Sequence, residues 1–166
     1  SYQPMTGWRI DGHSQGNQHP ELLILAKWND LETREQFIED IEKAVPDFHE
    51  RRRAIWSRFD LTYYEMPAAT PLEVDNSQYH VITAYWTKKP ASFEKYKKDW
   101  QKRVKASGGS FILELKDGTS PFGYYYQPDY LAMTSWASKA EFERFHAENA
   151  KTKAQGYYHI NEFVIE

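Results

Sequence analysis

The stretch VITAYW, residues 81–86, is one of three six-residue segments of this chain that end in tryptophan. The other two are LILAKW at 23–28 and LAMTSW at 131–136. All three are rich in apolar or small residues, as buried strands are, and each precedes a helical pattern that opens near a phenylalanine. The repetition therefore predicts three strand–helix units, and it decides the fold that we expect.

Apolar residues at helical spacing follow each of the three segments. The first predicted helix begins at a capping box at 33–36 and ends at Pro46. The second ends at the glycine pair 108–109, and the third begins at a capping box at 138–141. Each helix is followed by a strand candidate, at 54–66, 110–117 and 157–166.

Two strand–helix–strand units in series make a ferredoxin-like sandwich, in which a four-stranded antiparallel sheet carries both helices on one face. The sequence thus predicts an α+β protein with a ferredoxin-like domain over 78–166. Residues 1–66 are predicted to form an additional strand–helix–strand unit with a polar arm, and 67–77 an extended connector. The segment GWRIDG at 7–12 is a candidate for an added strand.

Four motifs of the C-terminal half carry a resemblance to a known group of proteins: YHVITAYW (79–86), FEKYKKDW (93–100), SGGSFI (107–112) and WASKAEF (136–142). With them the chain resembles an uncharacterised bacterial family of small single-domain members of the dimeric α+β barrel superfamily. The resemblance implies that one face of the sheet closes against a second sheet around a cavity. It also implies relatives that include monooxygenases of antibiotic biosynthesis, polyketide cyclases, isomerases and lyases.

Composition excludes several classes of protein. The 166-residue chain is 40% hydrophobic and 27% charged, and no run approaches the roughly 18 apolar residues of a membrane span. A net charge of −3 argues against a nucleic-acid-binding protein. The absence of cysteine excludes disulfides and thiolate metal sites and leaves the compartment open, with a cytoplasmic location favoured.

Side chains alternate between the two faces of a strand, so the repeat also predicts which residues lie under the helices. The helix-covered set comprises Ile24, Ala26, Trp28, Ile82, Ala84, Trp86, Ala132, Thr134 and Trp136. In the strands that follow the helices, Phe111, Leu113 and Leu115 are predicted on the same side. The three tryptophans are accordingly interpreted as packing residues.

The opposite face is predicted to carry the functional groups. Because the first and last strands of a ferredoxin-like domain are antiparallel neighbours, Tyr85 and His159 are expected close together on this face. His159 is the candidate base, and Tyr85 the donor to a developing oxyanion. The candidates for substrate binding are Lys27, Arg58, Tyr64, Glu114, Asn161, Met133 and Tyr125. The alternative makes His159 a hydrogen-bonded residue without chemistry.

The loop at 117–130 contains three consecutive tyrosines, 124–126, which either close over the cavity as a lid or contact a partner subunit. The open sheet face predicts either a homodimer or closure by the N-terminal unit. No metal site is predicted, because the histidines show no local ligand spacing; His13, His19 and His146 are interpreted as solvated.

Two classes of function follow. The first is a cofactor-independent enzyme that acts on a small hydrophobic or aromatic molecule by His/Tyr acid–base chemistry. The second is a non-catalytic ligand-binding or stress-related module. Haem-using relatives exist in the superfamily, but no histidine of this chain is marked as an axial ligand.

Overall fold

The structure, a computed structural model, describes residues 6–66 and 71–165, with the backbone alone for residues 6–12. Its elements are β1 (Thr6–Gln15), β2 (Leu22–Leu25), α1 (Leu31–Ala44), α2 (Phe48–Ile55), β3 (Tyr79–Thr87), α3 (Pro90–Ala106), β4 (Ser110–Lys116), β5 (Tyr130–Trp136), α4 (Lys139–Asn149) and β6 (Tyr157–Ile165). No helix in the described part of the chain is long and apolar enough to cross a membrane.

All strand pairs of the sheet are antiparallel, and the strand order is β2-β1-β6-β3-β5-β4. The four strands of the C-terminal half follow one another as β6-β3-β5-β4, which is consistent with a ferredoxin-like arrangement and places β3 in the interior. The predicted α+β class is confirmed. In a four-stranded ferredoxin-like sheet the last strand lies at an edge, but here β1 pairs with β6 on that side.

The two C-terminal helices begin and end largely where the sequence predicts. Pro90 opens α3, where its fixed φ angle is favourable and its missing N–H costs nothing. Ser138 caps α4 by accepting a hydrogen bond from the backbone N–H of Glu141, as the capping box predicts. At the start of β4, a Cβ on Gly109 would lie 2.8 Å from the Trp136 ring, so this close approach requires glycine.

The N-terminal half differs from the predicted strand–helix–strand unit. Helix α1 begins earlier than expected, because Asp30 rather than Thr33 is its N-cap. The strand expected at 54–66 is wrong: α2 occupies the beginning of that range, and the remainder holds only an isolated bridge between Tyr63 and Thr119. Pro46 does end the first helix, but Asp47 then starts a new one, helped by a 2.7 Å ion pair with Arg51 one turn later.

Strand β1 joins the two halves of the molecule. It contains the candidate strand at 7–12, and its first residues pair with β2 while its later residues pair with β6. His13 lies in this strand and not in a solvated loop, so that part of the sequence interpretation is wrong.

The core under the helices includes Val81, Tyr85, Trp100, Ala132, Trp136, Phe142 and Val164. The face assignment was therefore correct for β5 but inverted for β3, whose Ile82, Ala84 and Trp86 lie on the other face. The reason is that residues 80–86 are all buried, so that the sequence of β3 shows no alternation from which its faces can be read.

The repeated tryptophan has two environments. Trp28 and Trp136 each contact a phenylalanine of the following helix, with ring centroids 5.2 Å and 4.8 Å from Phe37 and Phe145. Trp86 instead lies on the face away from the helices.

A register shift in β4 also places residues on a face other than the predicted one. Phe111 contacts Trp100 of α3 as predicted, but Leu113 and Leu115 lie on the face away from the helices. The extra residue of the bulge exchanges the two faces.

The second face of the sheet is covered by the chain's own N-terminal half. The residues that pack there from outside the C-terminal domain are Leu23, Leu25, Tyr64, Leu72 and Val74. Leu23, Leu25 and Tyr64 belong to the predicted N-terminal unit, as closure by that unit requires, whereas Leu72 and Val74 belong to the predicted connector. The homodimer stays a prediction. Residues 71–75 of the predicted connector form neither helix nor strand, and residues 67–70 lie outside the described part.

Candidate functional site

The predicted Tyr85–His159 pair does not form. Cross-strand register places Tyr85 opposite Ile160 and Trp86 opposite His159, so the two residues lie on opposite faces of the sheet. Tyr85 is 1% exposed beneath α3, and burial raises the pKa of its hydroxyl well above the usual range. The expectation that they meet on one face is wrong because the faces of β3 were inverted; no observation bears on the catalytic role of either residue alone.

The predicted substrate-binding residues are dispersed. Three of them are exposed: Lys27, Arg58 and Tyr125. Arg58 forms a 2.7 Å ion pair with Asp60. Glu114 lies under α3, where its carboxylate accepts hydrogen bonds from the Tyr130 hydroxyl and, at 2.6 Å, from Gln101 Nε2. These residues therefore do not share one cavity wall as predicted.

Asn161 and Met133 do lie on the face away from the helices, but both are interior residues. Met133 is fully buried in the core of that face. The side-chain amide of Asn161 donates to the carbonyl oxygens of Gln15 and Gln18, at 2.9 and 2.8 Å, and so holds the turn that follows β1. That turn requires Gly16, whose φ is +102° and whose Cβ would contact Asn161.

Two of the candidates, His159 and Tyr64, belong to what we call the aromatic cluster: Trp86, with Tyr126 and His159 beside it, and Tyr64, which packs against the same apolar core. The Trp86 ring centroid is 4.7 Å from that of His159 and 5.3 Å from that of Tyr126, and Tyr64 packs against the same core. Tyr126 comes from the loop between β4 and β5. Tyr126 packs against Trp86, whereas the predicted residue of this loop, Tyr125, is exposed. The loop is held down by a hydrogen bond from the Thr62 hydroxyl to the Tyr126 carbonyl.

Three polar atoms of the aromatic cluster are buried without a hydrogen-bond partner among the described residues: His159 Nε2 and the hydroxyls of Tyr64 and Tyr126. A buried polar group without a partner costs roughly 1–3 kcal/mol. Burial raises the pKa of both tyrosines far above the usual range, so their hydroxyls stay protonated at physiological pH. The cluster therefore presents two fixed hydroxyl donors and one imidazole nitrogen to an oxygen acceptor.

A second polar cluster lies on the helix-covered face, and we call it the glutamate cluster: Glu162, His13, His146 and Thr83. Glu162 Oε1 is 2.9 Å from His13 Nε2 and 2.9 Å from His146 Nδ1. Its Oε2 accepts a 2.9 Å hydrogen bond from the Thr83 hydroxyl. Strand β6, strand β1, helix α4 and strand β3 each contribute one of these residues.

The charge of the glutamate cluster is stabilised by its hydrogen bonds. Burial alone raises the pKa of Glu162, but the hydrogen bonds from His13 and His146 outweigh it, and the pKa lies below its usual value. The hydrogen bond to Glu162 raises the pKa of His146 against the opposing effect of burial. The carboxylate is thus held ionised in the interior, where an unpaired charge would be very costly.

Sequence reasoning missed the glutamate cluster. His13 and His146 were interpreted as solvated, and the structure corrects this, since each is hydrogen-bonded to a carboxylate that is 3% exposed. The three residues are too far apart in sequence to form a local motif. One signal was present in the sequence. Glu162 lies two residues from Ile160 and two from Val164, so it shares their helix-facing side of the last strand.

Comparisons of this chain with protein-family models, with curated proteins and with solved structures found no match. The resemblance of residues 78–166 to the dimeric α+β barrel superfamily therefore stays a prediction. The chemistry of the two clusters is the basis on which a function can be proposed.

Proposed function

We propose that the protein binds a small planar organic molecule at the aromatic cluster and that His159 exchanges a proton with it. The observation that carries this proposal is that His159 Nε2 and the Tyr126 hydroxyl, both on residues that contact the Trp86 ring, are buried without partners among the described residues, as is the hydroxyl of Tyr64 in the same core. Buried polar groups are nearly always hydrogen-bonded, so a group of them without partners is explained by a bound molecule that supplies acceptors.

The chemistry of the cluster defines the class of ligand. The hydroxyls of Tyr64 and Tyr126 are donors, so they favour a carbonyl or a developing oxyanion. Histidine is the side chain that most readily takes up or releases a proton near neutral pH. Aromatic rings beside these groups favour an apolar or aromatic body on the ligand. Proton abstraction next to a carbonyl, with the oxyanion stabilised by a tyrosine, is the reaction that this arrangement supports best.

This proposal keeps the predicted His/Tyr chemistry and changes the tyrosine. Tyr64 and Tyr126 replace Tyr85 as the donors, and no organic cofactor is required. A homodimer and a place in the dimeric α+β barrel superfamily, with its monooxygenases, cyclases, isomerases and lyases, belong to the same proposal. A non-catalytic binding module is the second candidate, and it is favoured by the depth at which His159 Nε2 is buried.

Binding is tested with 4-hydroxyacetophenone, a planar ring that carries a carbonyl acceptor, by isothermal titration calorimetry. Tyr64→Phe and Tyr126→Phe remove the hydroxyl alone, and each should weaken binding about 5–10-fold, the value of one hydrogen bond. Tyr125→Phe is the matched control, because Tyr125 is next to Tyr126 but 87% exposed. The affinity of this variant for 4-hydroxyacetophenone should equal that of the wild type. Equal affinities in all three variants would contradict the proposed site.

Catalysis is tested with the same compound in deuterated water. Proton abstraction by His159 exchanges the methyl protons of 4-hydroxyacetophenone for deuterium, which proton NMR detects. The wild-type protein should accelerate this exchange over buffer, and His159→Gln should abolish the acceleration while binding is retained. Binding without accelerated exchange in the wild type would favour the non-catalytic module.

A further inference from the structure

Three side chains with metal-binding atoms meet in the glutamate cluster. His13, His146 and Glu162 place their ligand atoms within 4.8 Å of one another. Two imidazole nitrogens and one carboxylate oxygen form a donor set that proteins use for zinc and for non-haem iron(II). We propose that these three residues bind one divalent first-row transition-metal ion, of the class of Zn²⁺, Co²⁺ and Fe²⁺.

The two distances from Glu162 Oε1 to the imidazole nitrogens fit such an ion. Glu162 Oε1 is 2.9 Å from His13 Nε2 and from His146 Nδ1. Two ligand atoms about 2.1 Å from a common ion lie about 3.0 Å apart at a right angle and about 3.4 Å apart at a tetrahedral angle. The observed spacing thus matches adjacent ligands of an octahedral ion, and a tetrahedral ion requires a shift of about half an ångström.

Neighbouring residues orient the ligands. The Thr83 hydroxyl donates to Glu162 Oε2, which fixes the carboxylate and leaves Oε1 for the ion. The Phe142 ring contacts both imidazoles, with centroids 5.1 Å from that of His13 and 5.7 Å from that of His146. The hydrogen bond from Thr83 and the packing of Phe142 thus hold the carboxylate and the two imidazoles in place.

The site is open on one side. The side chains of His13 and His146 are 19% and 27% exposed, whereas that of Glu162 is 3% exposed. An ion can therefore reach the imidazoles from solvent and meets the carboxylate at the buried end. The remaining coordination positions are left for water or for a substrate oxygen. This site lies on the opposite face of the sheet from the aromatic cluster, so it does not depend on the function proposed there.

A metal-free hydrogen-bonded network with the same distances is the competing interpretation, and a titration distinguishes the two. The full chain is treated with EDTA, dialysed and titrated with Co²⁺, whose visible absorbance reports coordination. We expect one ion per chain with a micromolar or lower dissociation constant, reversed by EDTA, and an increase in Tm on binding. His13→Gln and His146→Gln should each weaken binding at least about tenfold, and Thr83→Val by about 10–100-fold.

The matched control is His49→Gln. His49 also forms a hydrogen bond to a glutamate, with Nε2 2.7 Å from Glu42 Oε1, but that carboxylate is about half exposed. Replacement of His49 by Gln should therefore leave the affinity for Co²⁺ unchanged. Far-UV circular dichroism establishes that each variant is folded.

Paramagnetic broadening in the wild-type protein gives a readout that needs no folded variant. Co²⁺ below one equivalent should broaden the ring-proton resonances of His13 and His146 before those of His19 and His49. The proposal is overturned if binding is no tighter than millimolar, or if broadening centres on His19 or His49. Unchanged affinity in both folded variants, His13→Gln and His146→Gln, would overturn it as well.

Discussion

The two polar clusters, one on each face of the sheet, differ in how their buried groups are satisfied. Under the helices, the charged Glu162 is surrounded by three donors, and both of its oxygens are hydrogen-bonded. On the other face, three polar atoms of the aromatic cluster are buried without partners among the described residues. Charge alone therefore does not decide what a buried group costs. A satisfied network contributes to the stability of the fold, and an unsatisfied one is available to a ligand.

Removal of the Glu162 carboxylate should have the largest effect. Glu162→Ala leaves Thr83, His13 and His146 without their acceptor, and loss of one partner from a buried charged network costs about 3–5 kcal/mol. Urea unfolding in the presence of EDTA measures the free energy of unfolding. The control Glu42→Ala removes the acceptor of His49 at the surface and should cost less than about 1 kcal/mol. Similar losses of unfolding free energy in Glu162→Ala and Glu42→Ala would contradict the prediction that the buried glutamate contributes more than the exposed one.

Loss of the hydroxyl that orients Glu162 should have the next largest effect. Thr83→Val keeps the shape of a side chain that is 1% exposed but removes its hydrogen bond to Oε2. A hydrogen bond to a charged group contributes about 1.5–3 kcal/mol, and we expect a destabilisation of that size in the same unfolding measurement. A neutral result would mean that water takes the place of the hydroxyl.

The pH dependence of stability should show the histidine contribution. The pKa of His146 is raised in the folded protein by its bond to Glu162, so its favourable contribution is complete below about pH 6.5. This contribution to stability is lost as the pH rises through the pKa that His146 has in the folded protein. The metal-free protein should therefore become less stable as the pH rises above about 6.5. His146→Gln, in which His13 and Glu162 still face each other, should show a flatter profile; an equally steep one would assign the effect to another group.

The smallest effect, and one of opposite sign, is expected on the other face. Tyr126→Phe removes a buried hydroxyl without a partner among the described residues, so the ligand-free protein should gain up to about 1 kcal/mol. Tyr125→Phe, at an exposed position, should leave the free energy of unfolding unchanged. A loss of stability in Tyr126→Phe would show that its hydroxyl already has a partner, and this would contradict the proposed ligand site.

The arrangement of the C-terminal half was predictable because local signals agreed with one another. The capping box at 138–141, the glycine pair at 108–109 and the strand–helix alternation all led to the observed order of elements. The faces of β3 were not predictable, because this strand is buried on both sides and carries no alternation. The three repeats were aligned by their tryptophans, and that alignment placed Trp86 on the wrong face.

The candidate sites were harder to predict, because long-range contacts create them. His13 and Glu162 are 149 residues apart in sequence, and no local spacing announces their contact. His159 and Tyr64 were identified as functional candidates and lie on the same side of the sheet, but the tyrosine whose ring contacts Trp86 is Tyr126, which was not among the candidates. A bulge in β4 and an unexpected helix at 48–55 changed the positions of the remaining residues.

The pairing of β1 with β6 sets an order of events during synthesis. Ile10 is paired with Ile165, so β1 can pair with β6 only after residue 165 has been translated. We expect the C-terminal domain to collapse first, because its contacts are closer in sequence. Until then the nascent N-terminal segment carries the apolar side chains of β2, Leu23 and Leu25, without their final cover. Until β6 has been translated, these apolar side chains remain accessible to chaperones and to other unfolded chains.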